Sequence, residues 1–65
     1  MNWDQIKGNW KEMKGNARRH WGELTDDDVE QAAGDREVLE GKIQQRYGKT
    51  KEEAQKEVDS WMARN

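Results

Sequence analysis

The apolar residues of this 65-residue chain recur at steps of three and four, and this spacing restricts the chain to helices. In the first third, the residues at this spacing are Trp3, Ile6, Trp10, Met13, Ala17, His20 or Trp21, and Leu24. Such steps place side chains on one stripe of an α-helix. Proline is absent, and no β-branched run alternates with polar residues as a half-buried strand would. We therefore predict an all-α fold.

Start and stop signals divide the chain into four predicted helices. Thr25 and Asp28 form a capping box, in which each residue satisfies a backbone N–H of the other, and Thr50 and Glu53 form a second one. Gly48 suits a helix C-terminus because glycine tolerates a positive φ. The predicted caps are Thr25, Asp28, Gly48, Thr50 and Glu53. The predicted helices span residues 3–21, 26–33, 35–47 and 51–63.

The glycines suggest how these helices are arranged. All six lie on two seven-residue ladders, namely Gly8, Gly15 and Gly22, then Gly34, Gly41 and Gly48. Each ladder is followed by a capping box, which favours two αα-hairpins, each a long helix and then a short one. We predict one domain, residues 1–65, folded as a small four-helix bundle. Gly8, Gly15 and Gly41 fall opposite the apolar stripe, either as weakly selected outward positions or as a smooth face for a partner.

The predicted core is thin. Only 20 of the 65 residues are apolar, five of them alanine, and 40% are charged, with a net charge of −2 and a mean hydropathy of −1.52. A core this small supplies little stability, so partial disorder and stabilisation in a weak homo-oligomer stay open beside a monomeric bundle. The predicted core residues are Trp3, Ile6, Trp10, Met13, Trp21, Leu24, Val29, Leu39, Ile43, Tyr47, Val58 and Trp61.

The chain lacks the residues that most catalytic and cofactor-binding sites require. The chain has no cysteine, one histidine (His20) and one serine (Ser60), and its glycines are not clustered as in a phosphate loop. Asp26, Asp27 and Asp28 are consecutive and diverge on a helix, which indicates capping and not metal binding. We predict no enzymatic activity, no cofactor and no metal. Without a long apolar run or an apolar leader, we predict a cytoplasmic protein that does not enter a membrane.

One helix face carries the candidate interaction surface. Its basic residues are Lys7, Lys11, Lys14, Arg18 and Arg19. Cations beside indoles can bind nucleic acid through phosphates and stacked bases. The tryptophans share the apolar stripe, however, so a solvated basic face over buried indoles is the better interpretation. The acidic run Glu23–Glu30 could pair with this face within the chain or between chains.

Longer motifs resemble the CsbD-like family of small bacterial stress-response proteins. The motifs are Gly8-Asn9-Trp10-Lys11, Trp21-Gly22-Glu23-Leu24-Thr25-Asp26-Asp27-Asp28, and Gly41-Lys42-Ile43-Gln44-Gln45-Arg46-Tyr47-Gly48. The resemblance implies a compact all-α bundle in the cytoplasm, abundant under stress and without catalytic residues. The chain departs from the family pattern at Ala32-Ala33 and at Lys49, where relatives often carry bulkier apolar residues.

Two functional hypotheses follow. The first is a non-enzymatic general stress-response protein, similar to hydrophilins, with a protective role under osmotic, desiccation or stationary-phase stress. The alternative is an adaptor that binds nucleic acid or a protein through the basic, tryptophan-containing first helix. The sequence identifies no specific partner.

Overall fold

The computed structural model describes residues 1–64 and confirms that the fold is all-helical, with no strand in that range. The helices are α1 (Trp3–Gly8), α2 (Trp10–His20), α3 (Asp26–Ala32), α4 (Arg36–Tyr47) and α5 (Lys51–Arg64). Each helix packs mainly on the next one along the chain. No helix within residues 1–64 is long and apolar enough to cross a membrane.

The predicted first helix, residues 3–21, is two helices. Asn9 leaves the helical conformation with φ −111° and ψ 28°, and it ends α1 and precedes α2. Gly8 and Asn9 are weak helix formers, so a break costs least there. The helices on either side of the break each hydrogen-bond to a different part of the chain. The indole N–H of Trp3 donates to Gly34 O (2.8 Å), and that of Trp10 donates to Val29 O (2.9 Å).

The packing does not confirm the predicted arrangement as two αα-hairpins. Helix α3 packs on α4 about as extensively as α4 packs on α5, so the halves are not separate units. The contact between α3 and α4 is polar as well as apolar, since Arg46 of α4 donates to the Asp28 carboxylate of α3. Residues 1–64 form five helices, and the division into two hairpins that the glycine ladders suggested stays a prediction.

The helix ends lie close to the predicted positions. Thr25 and Asp28 form the capping box of α3, and Gly48 ends α4 in the left-handed region with φ 63°. Helix α3 ends one residue early, because Ala33 adopts φ 49° before Gly34. A further capping box, Asn2 with Gln5, starts α1, and the sequence interpretation did not include it.

The core joins all five helices. The buried apolar side chains are Ile6, Met13, Ala17, Trp21, Leu24, Val29, Ala32, Leu39, Ile43, Ala54, Val58 and Trp61. Trp3, Trp10 and Tyr47, which we expected in the core, lie half-buried at its edge. Each has a polar atom that reaches a backbone partner; the Tyr47 hydroxyl, for example, accepts from Glu23 N (3.0 Å). Such amphipathic rings commonly sit where one end is apolar and the other polar.

Candidate functional site

Four of the five predicted basic residues come together in a groove between α2 and α3. The groove has a volume of about 580 Å³ and is lined by Lys11, Lys14, Gly15, Arg18, Arg19, Asp26, Val29 and Glu30. The residues from α2 follow a spacing of three and four, so they share one face of that helix. The fifth basic residue, Lys7, lies on α1 and does not line the groove.

Lys7 contacts the loop after α3 instead. Gly34 has φ 83°, and a Cβ built there would lie 3.0 Å from Lys7 Cγ. A side chain at position 34 would therefore collide with the Lys7 stem as well as strain the backbone. Lys7 therefore lies beside the loop after α3 and apart from the cations that line the groove.

The α3 side of the groove is acidic. Lys14 pairs with Glu30, and Arg18 Nη1 lies 2.8 Å from Asp26 Oδ1. The side chains of Asp26 and Glu30 are 84% and 60% exposed, so water screens both pairs and each stabilises the fold little. With four cations and two carboxylates, the groove has an excess of two positive charges.

The basic surface continues around Arg19 into a second, smaller depression. This depression has a volume of about 390 Å³ and is lined by Asn16, Arg19, His20, Trp61 and Arg64. The His20 ring packs edge-on against Trp21, with 4.6 Å between ring centroids. Arg19 thus belongs to two adjoining concave surfaces.

A buried carboxylate fixes α3, and with it the acidic wall of the groove. Asp28 Oδ2 accepts from Arg46 Nε (2.8 Å) and from Thr25 N (3.0 Å), and Oδ1 accepts from Arg46 Nη2 (3.1 Å). The hydrogen bonds from Arg46 lower the pKa of Asp28 from 3.8 to about 2, although burial opposes the shift. Lys42 Nζ lies 3.7 Å from Oδ1. Asp28 is therefore both a helix cap and an α3–α4 crosslink.

The second predicted capping box acts within its own helix. Thr50 N donates to Glu53 Oε1 (2.8 Å), and Glu53 N donates to Thr50 Oγ1 (3.2 Å). The hydrogen bond from the Thr50 backbone lowers the pKa of Glu53. Glu53 is exposed, and none of its hydrogen bonds crosses to another helix.

The four indoles pack against one another, with Trp21 and Trp61 buried and Trp3 and Trp10 half-buried at the edge of the core. Successive ring centroids lie 6.0 Å apart for Trp10 and Trp3, 6.4 Å for Trp3 and Trp61, and 5.2 Å for Trp61 and Trp21. The indole N–H of Trp21 donates to Glu57 Oε1 at 2.9 Å. Three indole N–H groups therefore donate within the chain, and none of the four rings lines the basic groove.

Two further ionic clusters were missed from the sequence. Arg36 donates to Glu40 (2.7 Å), to Asp59 (2.8 Å) and to Gln55 O (3.3 Å), which links α4 to α5. Lys49 pairs with Glu57, the acceptor of Trp21. Burial acts to raise the pKa of Glu57, but the hydrogen bonds from Lys49 and Trp21 outweigh it and the pKa is lowered. The spacing of charged residues along the sequence does not show which partners they meet, so the sequence did not reveal these links.

In residues 1–64, no three histidine, cysteine or acidic side chains are grouped so that they could hold a metal ion. The consecutive aspartates have separate partners. Asp26 pairs with Arg18, whereas Asp28 pairs with Arg46.

Comparison of the sequence with known proteins identifies a family and several close relatives. The CsbD-like family matches residues 4–56 of the chain. UPF0337 protein YjbJ of Escherichia coli O6:H1 strain CFT073 is 54% identical over 65 residues, covering 100% of this chain and 94% of the relative. A UPF0337 protein of Pectobacterium atrosepticum is 56% identical over 61 residues, covering 94% and 88%. A UPF0337 protein of Bordetella pertussis is 52% identical over 65 residues, covering 100% and 98%.

Proposed function

The chain belongs to the CsbD-like family, a general stress-response family, and from this membership we propose that it protects other macromolecules physically in the bacterial cytoplasm when water is scarce. Small proteins of this family are not known as enzymes. The proposed role needs no catalytic residue. It needs a surface that stays hydrated and dispersed, and a fold that recovers after dehydration.

The observation that carries the proposal is the character of the surface. Charged residues make up 40% of the chain, and the large apolar side chains with substantial exposure in residues 1–64 are only Met1 and Val38. A surface of mixed charges without a large apolar patch keeps a protein soluble at high concentration. Such a protein can separate other macromolecules as they are concentrated by water loss.

The helices themselves are weak, which supports reversible loosening. Gly15 and Gly41 lie inside α2 and α4, and a Cβ at either position would meet no atom within 4 Å apart from the neighbouring backbone of its own helix. Each costs about 1 kcal/mol relative to alanine, with no packing need for glycine. Helices of this length depend on tertiary contacts, so we expect the bundle to loosen and reform cooperatively.

A deletion strain tests the role in the cell. We expect the strain to survive desiccation, osmotic shock and prolonged stationary phase less well than its parent, and a plasmid copy of the gene to restore survival. Equal survival of deletion strain and parent under all three stresses would refute the protective role.

Purified protein tests the physical mechanism. A labile dehydrogenase dried with the protein should retain more activity on rehydration than the same enzyme dried with an equal mass of serum albumin. A Gly15→Ala, Gly41→Ala variant should fold more stably and protect less if loosening contributes. Protection no better than that by albumin would count against the mechanism.

The adaptor remains a second candidate because the groove between α2 and α3 is open and has excess positive charge. The internal hydrogen bonds of three indoles argue against base stacking by the tryptophans in the folded state. A monomer and a weak homo-oligomer both stay open, and sedimentation that does not change with concentration would exclude the homo-oligomer.

A further inference from the structure

We propose that the groove between α2 and α3 is a binding site for a short chain of phosphate groups, supplied either as free inorganic oligophosphate or as the triphosphate of a nucleotide. This inference is independent of the protective role. It rests on four observations. The cations form a row along α2, a glycine without tertiary contacts lies between them, their acidic partners are exposed, and the groove has the size of a small-molecule site.

The cations form a regular row on α2. Lys11, Lys14 and Arg18 recur about once per helical turn, and a turn advances about 5.4 Å. Arg19 extends the row toward the second depression. Lys11 and Arg19 form no ion pair within residues 1–64, so both are available to an anion. A linear ligand with closely spaced negative charges matches this row better than a single compact anion does.

Gly15 lies in the middle of the row and lowers the floor of the groove. Apart from the neighbouring backbone of α2 itself, no atom lies within 4 Å of where a Cβ would be, so the folded protein has no packing reason to exclude a side chain there. Glycine nevertheless weakens the helix relative to alanine. Absence of a side chain lets a ligand approach the helix backbone between Lys14 and Arg18.

The acidic partners can be exchanged for a ligand. Glu30 and Asp26 hold Lys14 and Arg18 at the edge of the groove through exposed, screened ion pairs. Phosphate oxygens also form charge-assisted hydrogen bonds with arginine, which can bind them with two parallel N–H groups, and an oligophosphate carries several negative charges on one ligand. An oligophosphate can therefore replace both carboxylates as the partner of the row.

The volume and the lining distinguish this ligand from a nucleic-acid strand. About 580 Å³ lies within the usual range of small-molecule sites. The lining residues include no aromatic ring on which a base could stack, and stacking platforms are a common part of single-strand binding. The groove offers contacts to phosphates and none of the usual contacts to bases.

Isothermal titration calorimetry with inorganic tripolyphosphate in magnesium-free buffer at about 50 mM salt tests the site. We expect saturable one-to-one binding that weakens as salt increases, and weaker binding of single phosphate. ATP in a parallel titration distinguishes the sources. Tighter binding of ATP than of tripolyphosphate points to the nucleotide, and a clear preference for tripolyphosphate points to the free inorganic chain.

Matched variants locate the binding. Lys11→Ala with Arg19→Ala should raise the Kd about tenfold, because it removes two charge-assisted contacts. The control pair Lys51→Ala with Lys56→Ala removes the same charge from exposed positions on α5 and should change the Kd less than about twofold, since long-range charge is screened.

The glycine gives a second, independent readout. Gly15→Ala should raise the Tm by about 4 to 8 °C while it weakens binding, because the added methyl fills the floor. Gly41→Ala, at an equally open position outside the groove, should raise the Tm similarly and leave the Kd unchanged.

Three results would overturn the proposal. They are no binding of tripolyphosphate at the same low salt, equal losses from the α2 and α5 pairs, and tighter binding of an oligothymidylate strand than of tripolyphosphate. The last result would identify the groove as a nucleic-acid surface.

Discussion

Two capping boxes with the same sequence pattern have different consequences in this fold. Thr25 with Asp28 starts α3, and Thr50 with Glu53 starts α5, each with the same reciprocal pair of hydrogen bonds. Asp28 is 3% exposed and bridges to Arg46 of α4. Glu53 is exposed, and within residues 1–64 its carboxylate hydrogen-bonds only within its own cap.

The difference shows that a motif specifies a local end and that its surroundings decide the tertiary effect. The α3 box lies where α4 passes, so its acid can crosslink two helices. The α5 box faces water, so its acid completes the cap only. Substitutions at equivalent positions should therefore separate the energy of a cap from the energy of a crosslink.

Loss of the α3 acid should have the largest effect. Asp28→Ala removes the reciprocal cap and leaves Arg46 without its partner, and we expect a loss of about 2 to 3 kcal/mol in the free energy of unfolding. Urea denaturation followed by tryptophan fluorescence measures it, and Asp28→Asn serves if the alanine variant does not fold. The matched Glu53→Ala variant should lose clearly less. Equal losses would mean that the Arg46 contact contributes nothing.

Acid should remove part of the same energy from the wild type. The pKa of Asp28 is about 2 in the folded chain, against 3.8 for the unperturbed group, so its contribution is present above about pH 4 and is lost as the pH falls toward 2. Because the side chain of Arg46 is 42% exposed, screening reduces this contribution, and we expect about 1 to 2 kcal/mol.

The measurement is the difference in unfolding free energy between wild type and Asp28→Asn at pH 5, 4, 3 and 2.5. This difference should shrink with acidification, because Asp28 becomes protonated. The other carboxylates titrate in both proteins, so their effects cancel in the difference. A difference that stays constant across the series would exclude an ionised Asp28 as the origin of the crosslink.

Replacing the cap threonines should have a smaller and nearly equal effect. Each hydroxyl accepts one backbone N–H at the third position of its helix, so Thr25→Ala and Thr50→Ala should each cost about 1 kcal/mol. Thermal unfolding followed by circular dichroism compares them. A much larger loss for Thr25→Ala would place part of the crosslink energy in the hydroxyl and not in the acid.

The local ends of these helices were readable from the sequence because caps and left-handed glycines depend on neighbouring residues. Thr25, Gly48 and Thr50 each lie at the predicted end of a helix. The spacing of the cations on α2 also indicated correctly that Lys11, Lys14 and Arg18 share a face. These features follow from helix geometry alone.

Features that depend on distant partners were not readable. The break at Asn9 was missed because Trp3 and Trp10, seven residues apart, look like one continuous stripe, whereas their indoles reach separate carbonyls at Gly34 and Val29. The crosslinks of Arg36 and Arg46 were missed because a charged residue on a helix normally faces water. Only the packed structure shows which carboxylate each one meets.

The amide variant of the α5 acid should have the smallest effect and makes the comparison sharpest. In Glu53→Gln, the amide oxygen can still accept from Thr50 N, as Gln5 Oε1 accepts from Asn2 N at the start of α1 (3.1 Å). Only the charge near the helix N-terminus is lost, and this interaction is weak at an exposed site. We expect no resolvable change in Tm by circular dichroism at physiological salt.

Asp28→Asn makes the same chemical change in the other box and should still lower the Tm, because a neutral amide cannot hold Arg46 as a carboxylate does. The two variants therefore differ mainly in the cross-helix partner that each acid has in the wild type. If Glu53→Gln lowered the Tm as much as Asp28→Asn, the charge at a helix start would explain the loss in both variants. The hydrogen bonds from Arg46 to Asp28 would then contribute nothing to stability.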